Sequence, residues 1–137
     1  MLKELQIVDD ESLMISYPDG SQYYGTMYKN QRSGFGVMKW KNGSTYTGNW
    51  MNGMPEHFGE YQWPDGRKYR GNYRQNKKHG FGEFTWPDGK EYQGNWKNDK
   101  LDGWGVMKWL SGSVYTGFWK DGKRHGFGRM EHWDGRV

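Results

Sequence analysis

Two glycine-rich segments are the first residues in this sequence whose type and spacing could carry chemistry. Gly34-Phe35-Gly36 and Gly80-Phe81-Gly82 resemble loops that bind phosphate through backbone amides. Such a loop needs the N-terminus of a following helix, which supplies the amide groups and a favourable dipole. No helix is predicted after either segment, so we expect no nucleotide site here.

Histidine is the second residue type that could suggest a site. His57, His79 and His125 fall at equivalent or adjacent positions of a repeated unit. A unit of two strands separates neighbouring copies by about 10 Å, whereas metal ligands lie within about 2.1 Å of one ion. The chain has no Cys, no Ser in a strand-turn-helix setting and no isolated carboxylate pair. We therefore expect no metal, no cofactor and no enzymatic activity.

These residues belong to a unit that repeats every 23 residues. The pair Tyr-x-Gly recurs at Tyr23/Gly25, Tyr46/Gly48, Tyr69/Gly71, Tyr92/Gly94 and Tyr115/Gly117. The five copies follow one another without insertion over residues 23–137. A feature present in every copy is more often part of the building unit than a unique active site.

The composition favours strands and a folded chain. Among 137 residues there are 22 Gly, 9 Trp, 10 Tyr and no Ala, and the net charge is only +4. This balance disfavours helices, while periodic aromatic residues favour pleated sheet. No apolar run reaches the roughly 18 residues of a membrane span, and the first 13 residues lack the features of a signal peptide. We expect a cytoplasmic protein.

Each copy contains two segments in which apolar and polar residues alternate, Y-x-G-x-W and G-x-M-x-W. Alternation places the Tyr, Gly and Trp of the first segment on the same face as the Gly, Met and Trp of the second. Tight-turn sequences such as WPDG at 63–66 join successive copies, and a loop of seven residues is expected within each copy. The pattern predicts an all-β fold, a single elongated, twisted antiparallel sheet of consecutive β-hairpins with ten strands over residues 23–137.

This hairpin pattern resembles the MORN family (membrane occupation and recognition nexus). Y-x-G-x-W followed by G-x-G and W-x-x-G is matched in all five copies, 23–45, 46–68, 69–91, 92–114 and 115–137. The departures are Met27 in a Trp/Tyr position, His57 in place of a Gly, and His132-Trp133 where Trp and Pro are expected. Residues 13–22 are interpreted as a partial copy, and residues 1–12 as an N-terminal extension or cap.

The resemblance implies a non-catalytic scaffold or adaptor. Similar repeats occur in ciliary radial spoke components, in proteins that join membrane compartments and beside the catalytic domains of some enzymes. It therefore implies a cytoskeletal setting, in particular a cilium or flagellum axoneme. An accessory region of a larger enzyme is the alternative, and the open last strand also suggests end-to-end homo-oligomers.

The ring-rich face is the first candidate for binding a partner. The rings between paired glycines, at positions 35, 58, 81, 104 and 127, are assigned to the core of this face together with the Tyr and Trp residues. Because a single sheet leaves part of such a face open, we expect a groove that binds a protein segment, as a peptide or a helix. The expected contact residues are Tyr46, Trp50, Tyr69, Tyr73, Tyr92, Trp96, Tyr115 and Trp119.

The loops within the copies form a second candidate, because they carry an excess of basic residues. The candidates for contact with an anionic partner are Arg74, Lys77, Lys78, Lys97, Lys100, Lys120, Lys123 and Arg124. Such a stripe could attract the anionic phospholipids of a membrane surface or an acidic protein tail. Nucleic acid is not expected, because the aromatic residues are needed on the sheet face and the excess charge is modest.

Overall fold

Twelve strands form one antiparallel sheet in chain order in the computed structural model, which describes residues 4–7 and 13–137. The strands are β1 (Glu4–Ile7), β2 (Leu13–Ser16), β3 (Gln22–Tyr28), β4 (Gln31–Lys39), β5 (Thr45–Met51), β6 (Met54–Gln62), β7 (Lys68–Arg74), β8 (Lys77–Thr85), β9 (Glu91–Lys97), β10 (Lys100–Lys108), β11 (Val114–Lys120) and β12 (Lys123–Glu131). The predicted all-β class and single sheet of hairpins are confirmed. Two strands precede the ten predicted ones. No helix in the described part of the chain is long and apolar enough to cross a membrane.

The turn inside each hairpin has only two residues, so the expected loop of seven residues is wrong. These hairpin turns are Lys29-Asn30, Asn52-Gly53, Gln75-Asn76, Asn98-Asp99 and Asp121-Gly122. Both residues of every turn have positive φ, between 49° and 83°. This is the geometry of type I′ turns, which match the twist of the flanking strands and favour Asn, Asp and Gly. The basic residues therefore lie mainly on strand ends.

A second kind of turn, the linking turn, joins one copy to the next. In the turn after β4, the Trp40 backbone N–H donates to the Ser44 carbonyl at 2.9 Å, and the Ser44 N–H donates to Oδ1 of Asn42 at 2.9 Å. The turn at residues 17–21 has the same bonds, with Asp19 in place of Asn42. The preceding strand β2 buries Ile15 completely. Residues 13–22 thus have the local structure of the second half of a copy.

Paired glycines explain how a single sheet buries large rings. Gly48 of β5 lies opposite Gly59 of β6, and the Tyr46 ring lies directly over this pair. The Tyr46 hydroxyl donates to the Asn49 carbonyl at 2.9 Å, and its ring packs edge-on against Trp50 at 4.9 Å and Tyr73 at 5.3 Å. The Tyr46 side chain has no exposed surface. The ring thus replaces the second layer that a sheet usually needs.

The second strand of each hairpin contains a bulge at the first residue of the Gly-x-Gly segment. Between β5 and β6 the register shifts between Gly48 and Trp50, and His57 in this bulge has φ 61°. The equivalent residues of the other copies are all glycines with positive φ, at 34, 80, 103 and 126. A residue with a Cβ atom is strained in this left-handed region.

Replacing His57 with glycine is expected to stabilise the protein. Removal of the Cβ atom relieves the left-handed strain, partly offset by the greater freedom of glycine in the unfolded chain, for a net gain of about 0.5–1 kcal/mol. Thermal unfolding followed by circular dichroism should show a midpoint about 2–4 °C higher. The control His57→Ala keeps the strain and should give no gain. An equal gain in both variants would contradict this explanation.

Candidate functional site

The eight aromatic residues expected to contact a partner are buried, which corrects their assignment as an accessible surface. None is more than 7% exposed. Tyr46, Tyr69, Tyr92 and Tyr115 each lie over a glycine pair. The first three pack edge-on against rings of their own and the next copy, and Tyr115 packs against Trp119 of its own copy. The residues concerned are Tyr46, Trp50, Tyr69, Tyr73, Tyr92, Trp96, Tyr115 and Trp119. They form the core of what we call the tyrosine face.

Burial also fixes the protonation of the core tyrosines. It raises the pKa of Tyr23 to about 12. The pKa values of Tyr46, Tyr69, Tyr73 and Tyr92 are raised further, and burial is again the largest cause. These phenols therefore remain neutral at a higher pH than an exposed tyrosine does. The hydroxyls of Tyr46, Tyr69 and Tyr92 act as hydrogen-bond donors to backbone carbonyls.

A strip of partly buried rings on the tyrosine face remains accessible beside the linking turns. Its members are Trp40, Tyr61, Trp63, Trp86 and Trp109. We call it the turn-side strip. The Trp40 and Tyr61 rings are 5.4 Å apart, and the Tyr61 and Trp63 rings are 4.4 Å apart. The buried Phe84 ring connects Trp63, at 5.3 Å, to Trp86, at 4.4 Å. The strip is thus a nearly continuous ladder of rings.

Two cationic side chains and an open pocket lie beside the rings of this strip. The Arg67 guanidinium lies 4.9 Å from the Trp63 ring centre, and Nζ of Lys90 lies 4.4 Å from the Trp86 ring centre. Near Trp109 an open pocket of about 430 Å³ is lined mainly by apolar surface, including Leu110 and Met130. Rings, cations and a pocket within one strip suit contact with an amphipathic protein segment.

The rings between the paired glycines lie on the opposite face, which corrects their assignment to the core. We call this side the outer face and these five residues the outer row. Their side chains are 42–87% exposed. The members are Phe35, Phe58, Phe81, Trp104 and Phe127. Both faces of the sheet therefore carry aromatic rings.

Asparagine side chains hold the backbone beneath the outer row. Nδ2 of Asn49 donates to the Phe58 carbonyl at 3.1 Å, and Nδ2 of Asn72 donates to the Phe81 carbonyl at 3.1 Å. Asn95 makes the same contact to Trp104 at 3.3 Å. These bonds satisfy carbonyl groups at the bulges, where the regular pairing between strands is interrupted.

The structure removes Lys78 from the predicted basic surface. Its Nζ atom lies 5.5–5.9 Å from four ring centres on the tyrosine face, and 3.3 Å from Oδ1 of Asp99. Only 16% of the Lys78 side chain is exposed. An ammonium group that is already paired and covered by rings cannot also bind a headgroup. Lys78 is therefore part of the packing of the tyrosine face.

The other predicted basic residues remain exposed at the hairpin-turn side of the sheet. We call six of them the basic edge: Arg74, Lys77, Lys97, Lys100, Lys120 and Lys123. Arg124 is exposed too, but its guanidinium lies 5.7 Å from the Tyr115 ring centre. Arg74, Lys77 and Lys97 share an open pocket of about 320 Å³ with His79.

The histidines do not gather into a site. Among the residues that the structure describes, no three His, Asp or Glu side chains form a group that could hold a metal ion. His57 and His125 lie exposed in different hairpins, and His79 lines the pocket at the basic edge.

Comparison with known proteins agrees with the hairpin repeat. The family model described as MORN repeat matches residues 23–45, 46–66, 69–91, 92–114 and 115–132. No curated protein matches the chain significantly. Among solved structures, the SAS-4 TCP domain of Drosophila melanogaster, solved in complex with a proline-rich motif of Ana2, is 14% identical. The match covers 91% of this chain and 80% of that one, with a TM-score of 0.40. At this score the likeness supports no conclusion about this chain.

Proposed function

Because the chain belongs to the MORN-repeat family, we propose that it is a non-catalytic scaffold that binds a segment of another protein along the turn-side strip. The ladder of partly buried rings from Trp40 to Trp86 is the observation that carries this proposal. Aromatic rings held rigidly by their neighbours lose little entropy on binding and are common among residues that dominate interfaces. The proposed setting is a cytoskeletal assembly such as an axoneme, which rests on the family resemblance.

The basic edge supports a second candidate function. Six exposed cations lie along one side of the sheet, and three of them share a polar pocket. An anionic membrane surface would attract such an edge, at about 1 kcal/mol for each basic residue near it. Vesicles with and without acidic lipids distinguish this function from binding of a protein segment.

Selection from a displayed library of 16-residue peptides without proline tests the proposed function. Enriched peptides should bind the wild-type protein and lose at least tenfold in affinity to the Trp63→Ala/Trp86→Ala variant, because their ring contacts are removed. The matched control is Phe58→Ala/Phe81→Ala on the outer face, which should bind normally. Circular dichroism checks the folding of both variants.

A second measurement of peptide binding uses only the wild-type protein, so its result does not depend on whether the variants fold. Peptide binding should shift the NMR signals of the Trp63 and Trp86 indole N–H groups. Trp50 and Trp96 serve as internal references, because their indoles donate to the Gly36 and Gly82 carbonyls at 3.1 and 3.2 Å inside the core. The proposal fails if no peptide is enriched, or if the strip signals stay unchanged while peptides bind. Binding only to acidic vesicles would favour the basic edge instead.

A further inference from the structure

The outer row is a regular line of exposed rings that the proposed function does not use. Each ring comes from the second strand of a hairpin, so successive rings are two strands apart. At the usual distance between strands, this spacing is about 9.6 Å. The exposed fractions, 61% for Phe35, 53% for Phe81 and 48% for Trp104, leave wide ring surfaces open to a partner.

Amide groups alternate with the rings along most of this line. Phe35 pairs with Asn49 across β4 and β5, Phe58 pairs with Asn72 across β6 and β7, and Phe81 pairs with Asn95 across β8 and β9. Each Asn uses one side-chain N–H to hold a carbonyl of the sheet. Because an amide has two such donors, the second can bind a carbonyl of a ligand. The line therefore offers apolar and donor groups in turn.

The period of the line fits one ligand conformation best. A polyproline II helix has three residues per turn and rises 3.1 Å per residue, so each turn advances about 9.3 Å. Over the four intervals from Phe35 to Phe127, the mismatch with the rings is only about 1 Å. Two turns of an α-helix advance about 10.8 Å, and the mismatch reaches about 5 Å. Polyproline II also leaves its carbonyls free to accept from the asparagine amides.

Basic residues lie along one side of the outer row and determine which side of the ligand should carry acidic residues. Arg74 and Lys97 lie two residues after Asn72 and Asn95 in their strands, so they share the outer face with the row. Lys77 pairs with Arg74 across the hairpin and adds a third cation beside the row. The pocket of about 320 Å³ between these three residues is mainly polar and could accept a carboxylate. Acidic residues next to the prolines would complement this edge.

We propose that the outer row binds a proline-rich segment of another protein in the polyproline II conformation, with proline at every third position and acidic residues facing the basic edge. The matched periods and the charge support this occupant. The surface lies on the face opposite the turn-side strip, so the scaffold could hold two segments at once.

Two displayed libraries of 15-residue peptides test this proposal, one with proline fixed at every third position and one with proline at every fourth. The wild-type protein should enrich peptides from the first library, with Asp or Glu among the selected residues. Affinity should fall at least tenfold for Phe81→Ala/Trp104→Ala. These side chains are about half exposed, so the variant should fold. The control Trp63→Ala/Trp86→Ala should bind the selected peptides normally.

NMR on the wild-type protein provides the second measurement. The indole signal of Trp104 should shift when a selected peptide binds, while the signals of Trp50 and Trp96 stay in place. Equal enrichment from both libraries, equal binding to the outer-row variant, or an unchanged Trp104 signal would each overturn the proposal. These results do not depend on whether the turn-side strip binds a peptide. The strip is tested with proline-free peptides and the Trp63→Ala/Trp86→Ala variant, whereas the outer row is tested with proline-containing peptides and the Phe81→Ala/Trp104→Ala variant.

Discussion

Replacing Gly82 with alanine is expected to destabilise the protein by about 3 kcal/mol or more, because the new methyl group overlaps a ring that cannot move. A Cβ atom at this position would lie 2.2 Å from Oη of Tyr69 and 2.4 Å from its Cζ atom. The Tyr69 side chain has no exposed surface, and its hydroxyl donates to the Asn72 carbonyl at 2.7 Å. Urea unfolding followed by tryptophan fluorescence measures the loss.

Gly122→Ala is the matched control for this prediction. Gly122 has φ 83°, and a Cβ atom there would meet nothing within 4 Å. Alanine should therefore cost only the conformational strain of the turn, about 1–2 kcal/mol. Gly82 has no positive φ, so its larger loss would come from the ring overlap. A loss at Gly82 no larger than that at Gly122 would contradict the packing described for the tyrosine face.

Replacing Lys78 with glutamate should lower the free energy of unfolding by about 3 kcal/mol. The change removes an ammonium group that lies near the Trp63, Tyr69, Phe84 and Trp96 rings. It places a carboxylate there instead, close to the carboxylate of Asp99 and against the negative faces of the rings. Urea unfolding at two salt concentrations measures the cost, which should shrink at high salt because like charges are screened.

Two control variants separate charge from packing at this position. Leu101 occupies the equivalent position of the next copy and is only 9% exposed. Lys78→Leu should therefore change stability by less than about 1 kcal/mol, since Leu can pack among the rings. The Asp99 carboxylate is 47% exposed to water and keeps its bond from the backbone N–H of residue 78. Lys77→Glu, at the exposed neighbour, should stay within about 0.5 kcal/mol of wild type. A Lys78→Glu protein as stable as wild type would contradict the contacts described for Lys78 with Asp99 and the rings.

The period of 23 residues was sufficient to predict the sheet of hairpins. Alternation in Y-x-G-x-W correctly places Tyr46 and Trp50 on one face, and the linking turns fall where WPDG and WKNG predict them. The hairpin turns were predicted too long, because the polar residues on both sides of each turn belong to strand ends and not to the loop. Asn52-Gly53 and Asp121-Gly122 are pairs that favour a two-residue turn, so the correct length was readable in two copies. The extra strand pairing of β1 lies outside the repeat, so the period held no information about it.

The candidate site was predicted less well, for a physical reason. A sequence pattern assigns a residue to a face but does not say how fully its neighbours cover it. Tyr69 is completely covered because the rings of Tyr73 and Trp96 pack edge-on against it, at 5.1 and 5.4 Å. The outer row was predictable from the sequence, because Phe81 stands one residue before Gly82 and must point to the opposite face. The surroundings of Lys78 were not predictable, since its ring neighbours come from β7, β8, β9 and the linking turn after β6.

The uniform hairpin has a consequence for the length of the molecule. Each copy adds two strands to one end of the sheet, and each pairs only with its neighbours in the chain. Adding or deleting one copy should therefore change the long dimension by about 9.6 Å and leave the remaining joints intact. The number of copies, counted in 23-residue steps, therefore determines the distance between the two ends of the sheet, as the number of units does in other linear repeat arrays.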